Sequence, residues 1–302
     1  MEFVHFKIQT ALNSAAYICK VIYVQRMKLA LAQLLVEGTE PDRNFERAEK
    51  LIARAKKEHC DLVLLPETID FAWTHPDALQ QAKTIPGAYS DLFCTLAAKH
   101  NIWICVGLTE KTETCNYNAA LLIDNVGKII GTHRKINLLT VEFPYYEVGQ
   151  KLEVFDTPFG KIGLNICADN YLDAIDIGHV LARMGAQIIL APSSWTVEHS
   201  ITEAEDPYSD KWIKPLSILA KTHDIILASA TSVGYIVGGP YEGKKMVGCS
   251  LCVGKQGIIA QGIFNEFAGD LVVAEFEIPE RKLKGTEIGA SLKSKGFNFE
   301  EK

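Results

Sequence analysis

The stretch Gly163-Leu164-Asn165-Ile166-Cys167-Ala168-Asp169 brings a thiol to the end of an apolar, β-branched run. Two charged residues follow similar runs: Glu67 comes after Leu64-Leu65-Pro66, and Lys135 lies just beyond the run 128–133. In open α/β sheets ligands bind beyond the carboxyl ends of strands, so these side chains can meet at one end of a sheet. A carboxylate, an ammonium group and a thiol brought together there would form a site for acyl transfer to sulfur.

The apolar residues change their spacing repeatedly from Met27 onward, which predicts alternating strands and helices. The first half is predicted as strand 28–35, helix 42–58, strand 61–65, helix 90–99, strand 102–107 and a hairpin of 117–124 with 128–133. The second half repeats this order as strand 161–167, helix 173–184, strand 187–191, helix 211–223, strand 225–230 and a hairpin of 247–253 with 257–262, before a last strand 270–277. Two such sheets, each covered by helices on one face, predict an α/β fold, a four-layer α-β-β-α sandwich of two similar halves.

Composition argues against several classes of protein. Of the 302 residues 48% are hydrophobic and 23% charged, as in globular proteins, and no run of 18 apolar residues could span a membrane. A formal net charge of −6 with scattered Lys and Arg leaves no basic surface for nucleic acid. We therefore expect neither a membrane nor a nucleic acid as partner.

The domain organisation follows from the same patterns. No linker-like segment divides residues 27–279, so we expect one domain there, with 1–26 as an extension outside the core, unless Met27 is the true start, and 280–302 as a polar tail. The 8 cysteines are too irregularly spaced for a disulfide scaffold, which favours the reducing cytoplasm.

The contexts of Glu67, Lys135 and Cys167, and their order, resemble those of the nitrilase, or carbon-nitrogen hydrolase, superfamily over residues 27–279. The resemblance implies an α-β-β-α sandwich and a cysteine hydrolase. Cys167 would be the nucleophile and Glu67 the base for both the thiol and the hydrolytic water. Lys135, with the backbone N–H of Ala168, would stabilise the oxyanion. Cys167 is then expected to be the cysteine most reactive toward alkylation.

The resemblance extends to further residues. Glu142, in a segment that ends in an aromatic pair and a glycine, would orient Lys135; a surface acid is the alternative. Trp195 and Tyr145 are candidates for the substrate wall, although Trp195 could equally be core. Other residues are weaker candidates for that wall or are expected to be structural: Trp73 and Tyr171 for the wall, and Asn118 and Asp169 as structural residues. No phosphate loop, dinucleotide fingerprint or metal cluster is present in the pattern, so neither a cofactor nor a metal is expected.

The substrate class is predicted less sharply. The leading interpretation is hydrolysis of a small linear amide or N-carbamoyl compound. A nitrilase is the first alternative, although family nitrilases carry Trp-Glu after the cysteine and this chain has Ala168-Asp169. A non-catalytic binding protein on the same fold is the second, and loss of a triad residue would be its signature. By analogy with the family, we expect a homodimer or a higher homo-oligomer.

Overall fold

The computed structural model describes residues 25–205 and 208–281. Residues 1–24 of the expected extension and 282–302 of the expected tail lie outside this part of the chain. Fifteen strands and five α-helices form the described structure. The helices are α1 Pro41–Lys57, α2 Ala78–Gln81, α3 Ala88–His100, α4 Asp176–Arg183 and α5 Lys214–His223.

The first six-stranded sheet is built from the first half of the chain and its last described strand. Its order is β15-β1-β2-β3-β4-β5. The strands are β1 Arg26–Gln33, β2 Leu62–Leu64, β3 Trp103–Lys111, β4 Asn116–Ile123, β5 Ile129–Arg134 and β15 Asp270–Glu277. β1, β2 and β3 are parallel, whereas β15 pairs antiparallel with β1.

The second six-stranded sheet repeats this arrangement, in the order β14-β13-β10-β8-β7-β6. Its strands are β6 Val154–Thr157, β7 Gly160–Leu164, β8 Ile188–Ser193, β10 Ile226–Thr231, β13 Leu251–Gly254 and β14 Gly257–Gln261. The parallel strands β7, β8 and β10 correspond to β1, β2 and β3. The predicted two similar halves are therefore confirmed.

Alternate residues of β1 show how the layers stack. Leu29 and Leu31 belong to a core that also contains Leu164 and Ile188 of the second sheet. Ala30 and Ala32 instead pack with the buried residues of α1 and α3. Because successive side chains of a strand point to opposite faces, one face of the sheet meets the other sheet and its opposite face meets helices. This confirms the α-β-β-α sandwich.

Helix α1 illustrates how the pattern produces the outer layer. Its buried residues Phe45, Ala48, Ile52 and Ala55 recur at intervals of three and four, which places them on one face of an α-helix. Pro41 occupies the first turn, where a missing backbone N–H costs no hydrogen bond. The apolar face packs on the first sheet, as predicted.

The prediction of one continuous strand over 247–253 is wrong. The segment divides into β12 Lys245–Val247 and β13, because Gly248 and Cys249 both adopt left-handed backbone with φ of 72° and 64°. The buried amide of Gln33 fills the break, and its Oε1 accepts a hydrogen bond of 2.6 Å from the Ser250 N–H. β12 instead lies between β9 Thr196–Val197 and β11 Val233–Tyr235 in a small third sheet. The apolar periodicity did not predict this sheet.

Two predicted helices are shorter than expected. The helix predicted over 173–184 begins at Asp176, and that predicted over 211–223 begins as an α-helix only at Lys214, after the π-helical turn Ser209–Ile213. Within the described residues, no helix is long and apolar enough to cross a membrane.

Candidate active site

The structure brings the three residues Glu67, Lys135 and Cys167 to one end of the sandwich. Glu67 follows β2, Lys135 follows β5 and Cys167 follows β7. Glu67 and Lys135 are fully buried and Cys167 is 6% exposed. The Lys135 Nζ donates a 2.8 Å hydrogen bond to the Glu67 Oε1, and both groups act electrostatically on the Cys167 thiol.

The prediction that strand β7 extends to Cys167 is wrong. The strand ends at Leu164, and Cys167 opens a 3₁₀ turn, Cys167–Asn170, in the left-handed region with a φ of 43°. This conformation is strained for a residue other than glycine, so surrounding contacts must stabilise it. The Ala168 N–H lies at the start of this 3₁₀ segment, where backbone N–H groups have no hydrogen-bond partner within the helix.

Asp169 connects the Cys167 turn to the segment after Lys135. Its Oδ2 accepts the Ile166 N–H at 2.9 Å, and its Oδ1 accepts the Asn137 N–H at 2.7 Å. The buried His133 ring completes the junction, with its Nε2 3.0 Å from the Asp169 Oδ2. The turn hydrogen bonds expected of Asp169 are present, and they fix the nucleophile candidate relative to the ammonium candidate.

The backbone of Glu67 is held by close approach to the next strand. A Cβ atom added to Gly107 of β3 would lie 2.6 Å from the Glu67 Cα, so only glycine fits there without displacing the Glu67 backbone. The Glu67 N–H donates at 3.3 Å to the Ser193 carbonyl, which belongs to the second sheet. Glu67 thus lies where the two sheets meet.

The two glutamates beside Lys135 differ in their contacts. The Glu142 carboxylate accepts from the Lys135 Nζ at 2.9 Å on both oxygens, from the Trp73 Nε1 at 2.8 Å and from the Leu139 N–H at 2.9 Å. The Glu67 Oε1 accepts from Lys135 and, at 2.6 Å, from the Asn118 Nδ2. The Glu67 Oε2 is buried and has no hydrogen-bond partner among the described residues.

Burial and the neighbouring charges together set the pKa values of the site. It raises the pKa of the Cys167 thiol well above its usual value, helped by the negative charge of Glu67 and opposed by Lys135. Burial also raises the pKa of Glu67, and Lys135 offsets part of this shift. For Lys135, burial disfavours the charge, but the carboxylates of Glu142 and Glu67 outweigh it and raise the pKa well above its ordinary value. Burial thus favours the neutral thiol of Cys167 and the protonated form of Glu67, whereas the two carboxylates keep the Lys135 ammonium charged.

The residues predicted for the substrate wall lie in different places. Trp195 is 1% exposed and sandwiched between Trp212, at a ring-centroid distance of 4.6 Å, and Tyr208, at 5.6 Å. Tyr145 lines a cavity of about 370 Å³ on the outer side of the Glu142 segment. Tyr171 stays within electrostatic reach of Cys167 and packs on Trp212 at 4.9 Å.

Asn118 and Trp73 contact the site more directly than the sequence indicated. Asn118 was expected to be structural, yet it donates to Glu67 and lies 3.4 Å from the Glu142 Oε1. One sequence signal could have found it: Asn118 directly precedes the continuous apolar run Ala119–Ile123 of β4, which predicts burial of its amide. A polar side chain buried in a strand needs a partner nearby.

Within the described residues, no group of three or more His, Cys, Asp or Glu side chains is arranged to hold a metal ion. The Glu67 Oε2, the Asn118 Oδ1, the Thr68 Oγ1 and the Trp195 Nε1 are buried and have no hydrogen-bond partner among the described residues.

The burial and pKa of the two thiols favour Cys115 over Cys167 as the first site of alkylation, contrary to the expectation from the sequence. Hydroxyl groups, first that of Thr112, lower the pKa of the partly exposed Cys115. Cys167 is nearly buried and has a raised pKa. Because the thiolate is the reactive species, we expect iodoacetamide to modify Cys115 before Cys167 in substrate-free protein, as measured by peptide mass spectrometry over time. Cys115→Ser should remove the fast phase; a fast phase that remains on Cys167 would show a preformed thiolate there.

Comparisons with known proteins identify the family of this chain. The sequence profile of the carbon-nitrogen hydrolase family matches residues 28–282. A nitrilase from Pyrococcus abyssi is 30% identical over 73% of this chain and 80% of its own length. An omega-amidase from Saccharomyces cerevisiae is 32% identical over 58% of this chain and 65% of its own.

Solved structures share the fold. A carbon-nitrogen hydrolase from Helicobacter pylori superposes with a TM-score of 0.72 at 22% identity, over 84% of this chain and 90% of that one. An amidase from a Nesterenkonia species superposes with a TM-score of 0.71 at 19% identity, over 89% and 98% of the two chains. With a profile match over nearly the whole described chain and a relative at 30% identity, this protein belongs to the carbon-nitrogen hydrolase family.

Proposed function

We propose that the protein hydrolyses the C–N bond of a small linear amide or N-carbamoyl compound through a Glu67-Lys135-Cys167 triad. The observation that carries the proposal is the contrast between the two glutamates. Both oxygens of Glu142 accept hydrogen bonds, from Lys135, Trp73 and Leu139, whereas the Glu67 Oε2 is buried and has no partner among the described residues. An unpaired buried carboxylate oxygen costs free energy, and its persistence at this position supports a role as proton acceptor.

The proposed first step forms an acyl-enzyme. The Cys167 sulfur attacks the carbonyl carbon while Glu67 takes the thiol proton. The Lys135 ammonium and the Ala168 N–H bind the oxyanion of the tetrahedral intermediate. Removal of one such donor typically costs about 3–4 kcal/mol in activation free energy. Glu67 then passes its proton to the leaving nitrogen, which departs as ammonia or an amine and leaves a thioester on Cys167.

In the second step the same carboxylate activates a water molecule. Glu67 takes a proton from the water as the oxygen attacks the thioester carbonyl. As the C–S bond breaks, Glu67 returns this proton to the Cys167 sulfur, which releases the acid product and regenerates both the thiol and the carboxylate. Glu142 takes no proton in this scheme. It fixes the Lys135 Nζ between the two carboxylates, at 2.9 Å from its own oxygens and 2.8 Å from Glu67.

A nitrilase activity is the second candidate, and the Pyrococcus abyssi relative named as a nitrilase favours it. Attack of Cys167 on a nitrile would give a thioimidate. A water molecule would then have to add before ammonia leaves, which is an earlier step than in the amide reaction. The residues after the cysteine, Ala168-Asp169, favour the amide.

A substrate panel tests the proposal. Purified protein is incubated with short amides, N-carbamoyl amines and nitriles, and ammonia release is measured, with Cys167→Ala protein as the matched blank. We expect release from an amide or a carbamoyl compound at least tenfold above release from any nitrile. Preference for a nitrile would select the second candidate. Binding without turnover by any compound would mean a non-catalytic binding protein.

The raised pKa of Glu67 leads to a pH prediction. The base must be ionised, so kcat/KM should fall as pH decreases through the Glu67 pKa, with an acid limb above the ordinary carboxyl value of 4.5. The negative charge of Glu142 contributes to this raised pKa, so Glu142→Gln should move the limb to lower pH. The measurement is a pH–rate profile with far-UV circular dichroism at each pH. A limb that Glu142→Gln leaves in place would point to another group, such as buried Asp70, whose pKa burial raises to about 6.

We further propose that the protein works as a homo-oligomer in the cytoplasm. Helices α4 and α5 and the loop before them expose the apolar residues Leu172, Val180, Met184 and Ile218, each 38–45% exposed, on the outer layer. A second copy would bury them. Light scattering should give at least twice the 33.4 kDa chain mass, and Val180→Glu should reduce it. A monomer of unchanged activity would contradict the oligomer.

A further inference from the structure

Trp73 lies beside Glu142 and Lys135, the two charged residues of the site that form no covalent bond and transfer no proton in the proposed reaction. Its indole Nε1 donates a 2.8 Å hydrogen bond to the Glu142 Oε1, and the Lys135 Nζ lies 5.9 Å from the centre of its ring. The side chain is 5% exposed, and the bonded carboxylate is fully buried. The bond spans 69 residues of sequence, from the loop after β2 to the turn after β5.

The backbone around Trp73 is arranged to present this one side chain. Ala72 and Thr74 on either side are both left-handed, with φ of 65° and 60°. Neither is glycine, so the loop bears strain at both positions. The Thr74 hydroxyl donates to the Trp73 carbonyl at 2.7 Å and locks the turn. Strain held on both sides of a single residue is typical of a functional site.

The outer face of the ring is also fixed. Tyr241 packs against Trp73 edge to face, with centroids 5.1 Å apart, and Leu138 and Tyr146 belong to the same cluster. The indole can therefore move little without breaking contacts on several elements. A rigid donor is what a carboxylate needs if its distance from Lys135 is to stay constant.

We propose that Trp73 is a positioning residue that sets how Lys135 is shared between Glu142 and Glu67. The indole N–H supplies one of the donors of Glu142, so Lys135 does not have to satisfy that carboxylate alone and stays within 2.8 Å of Glu67. Without the indole N–H, Lys135 would move toward Glu142. Its hydrogen bond to Glu67 would lengthen, and Glu67 would hold a proton more tightly. The inference rests on the proposed function for its kinetic consequence, but not for its structural one.

The test variant is Trp73→Phe, which keeps an aromatic ring and removes the N–H. We expect kcat to fall by about 10- to 100-fold, as for loss of a hydrogen bond to a charged group, with little change in KM. The acid limb of kcat/KM should move to higher pH, which a merely structural residue would not cause. Trp103→Phe is the matched control, because Trp103 is 7% exposed and its ring packs on Phe159 away from the site. That variant should keep wild-type activity and the wild-type limb.

A double-mutant cycle separates positioning from general damage. In a Glu142→Gln background the charged acceptor is gone, so Trp73→Phe should reduce kcat by much less than in the wild type. If the kcat loss of the double variant equals the product of the two single losses, the inference is overturned. It is also overturned if Trp73→Phe keeps the wild-type kcat and the wild-type acid limb.

A spectroscopic measurement tests the contact without any activity. The protein has 4 tryptophans, so nitrogen-15 labelling gives four indole N–H signals, and Trp73→Phe identifies one of them. That signal should move upfield in Glu142→Gln and stay in place in Lys50→Met, which removes an exposed ion pair with Glu46. An unmoved signal in Glu142→Gln would overturn the inference. If the wild type hydrolyses no amide while the signal moves, the proposed function fails and the positioning contact remains.

Discussion

Cys167→Ala is expected to abolish turnover and to leave the fold intact. Loss of the nucleophile costs a triad hydrolase about 10⁶ in kcat, because no other group can form the covalent intermediate. Cys167 is nearly buried, and replacing a thiol by a hydrogen on the same Cβ removes little packing volume. The measurement is steady-state ammonia release with the best substrate of the panel, together with thermal unfolding of both proteins.

The base can be tested against the same variant. Glu67→Gln should also inactivate the protein, but the double variant with Cys167→Ala should be about as inactive as Cys167→Ala alone, since parts of one catalytic unit fail together. Turnover by Cys167→Ala at the wild-type rate would remove the nucleophile assignment. A double variant slower by the full product of the single losses would mean that Glu67 acts elsewhere.

Lys135→Met is expected to lose activity and stability together. Lys135 is the only cation hydrogen-bonded to Glu67 and Glu142 among the described residues, and all three side chains are fully buried. Removing one partner from a buried ion pair costs about 3–5 kcal/mol, a large share of a typical 5–15 kcal/mol of folding free energy. Without the ammonium, two carboxylates face each other, so the loss should be largest at neutral pH. It should shrink as pH falls and Glu67, whose pKa burial raises, takes up a proton.

A compensating variant separates the two losses. Lys135→Met combined with Glu142→Gln removes one of the stranded charges, so urea unfolding should show stability partly restored while activity stays absent. Lys50→Met is the surface control: its pair with Glu46 has side chains 64–70% exposed, and its stability should change by less than about 1 kcal/mol. Activity recovered in the double variant would exclude Lys135 from oxyanion stabilisation.

Local patterning predicted the framework well. The helical spacing of Phe45, Ala48, Ile52 and Ala55 and the apolar runs of β1, β3 and β8 depend on residues close in sequence, and the structure has these elements. The errors lie where a distant side chain overrides the local pattern. Gln33 interrupts 247–253 from 217 residues away, and the Cys167 turn is held by hydrogen bonds from the Lys135 segment.

The layered fold could be predicted from the sequence because apolar periodicity depends on neighbouring residues, and the family could be predicted because the short segments around Glu67, Lys135 and Cys167 resemble those of its members. The tertiary structure was needed to show that the Glu67 Oε2 has no hydrogen-bond partner among the described residues, and that Trp73 and Asn118 donate hydrogen bonds to the two carboxylates. Burial and hydrogen-bond partners govern these properties. They come from residues 51 to 69 positions apart, which sequence spacing does not relate to one another.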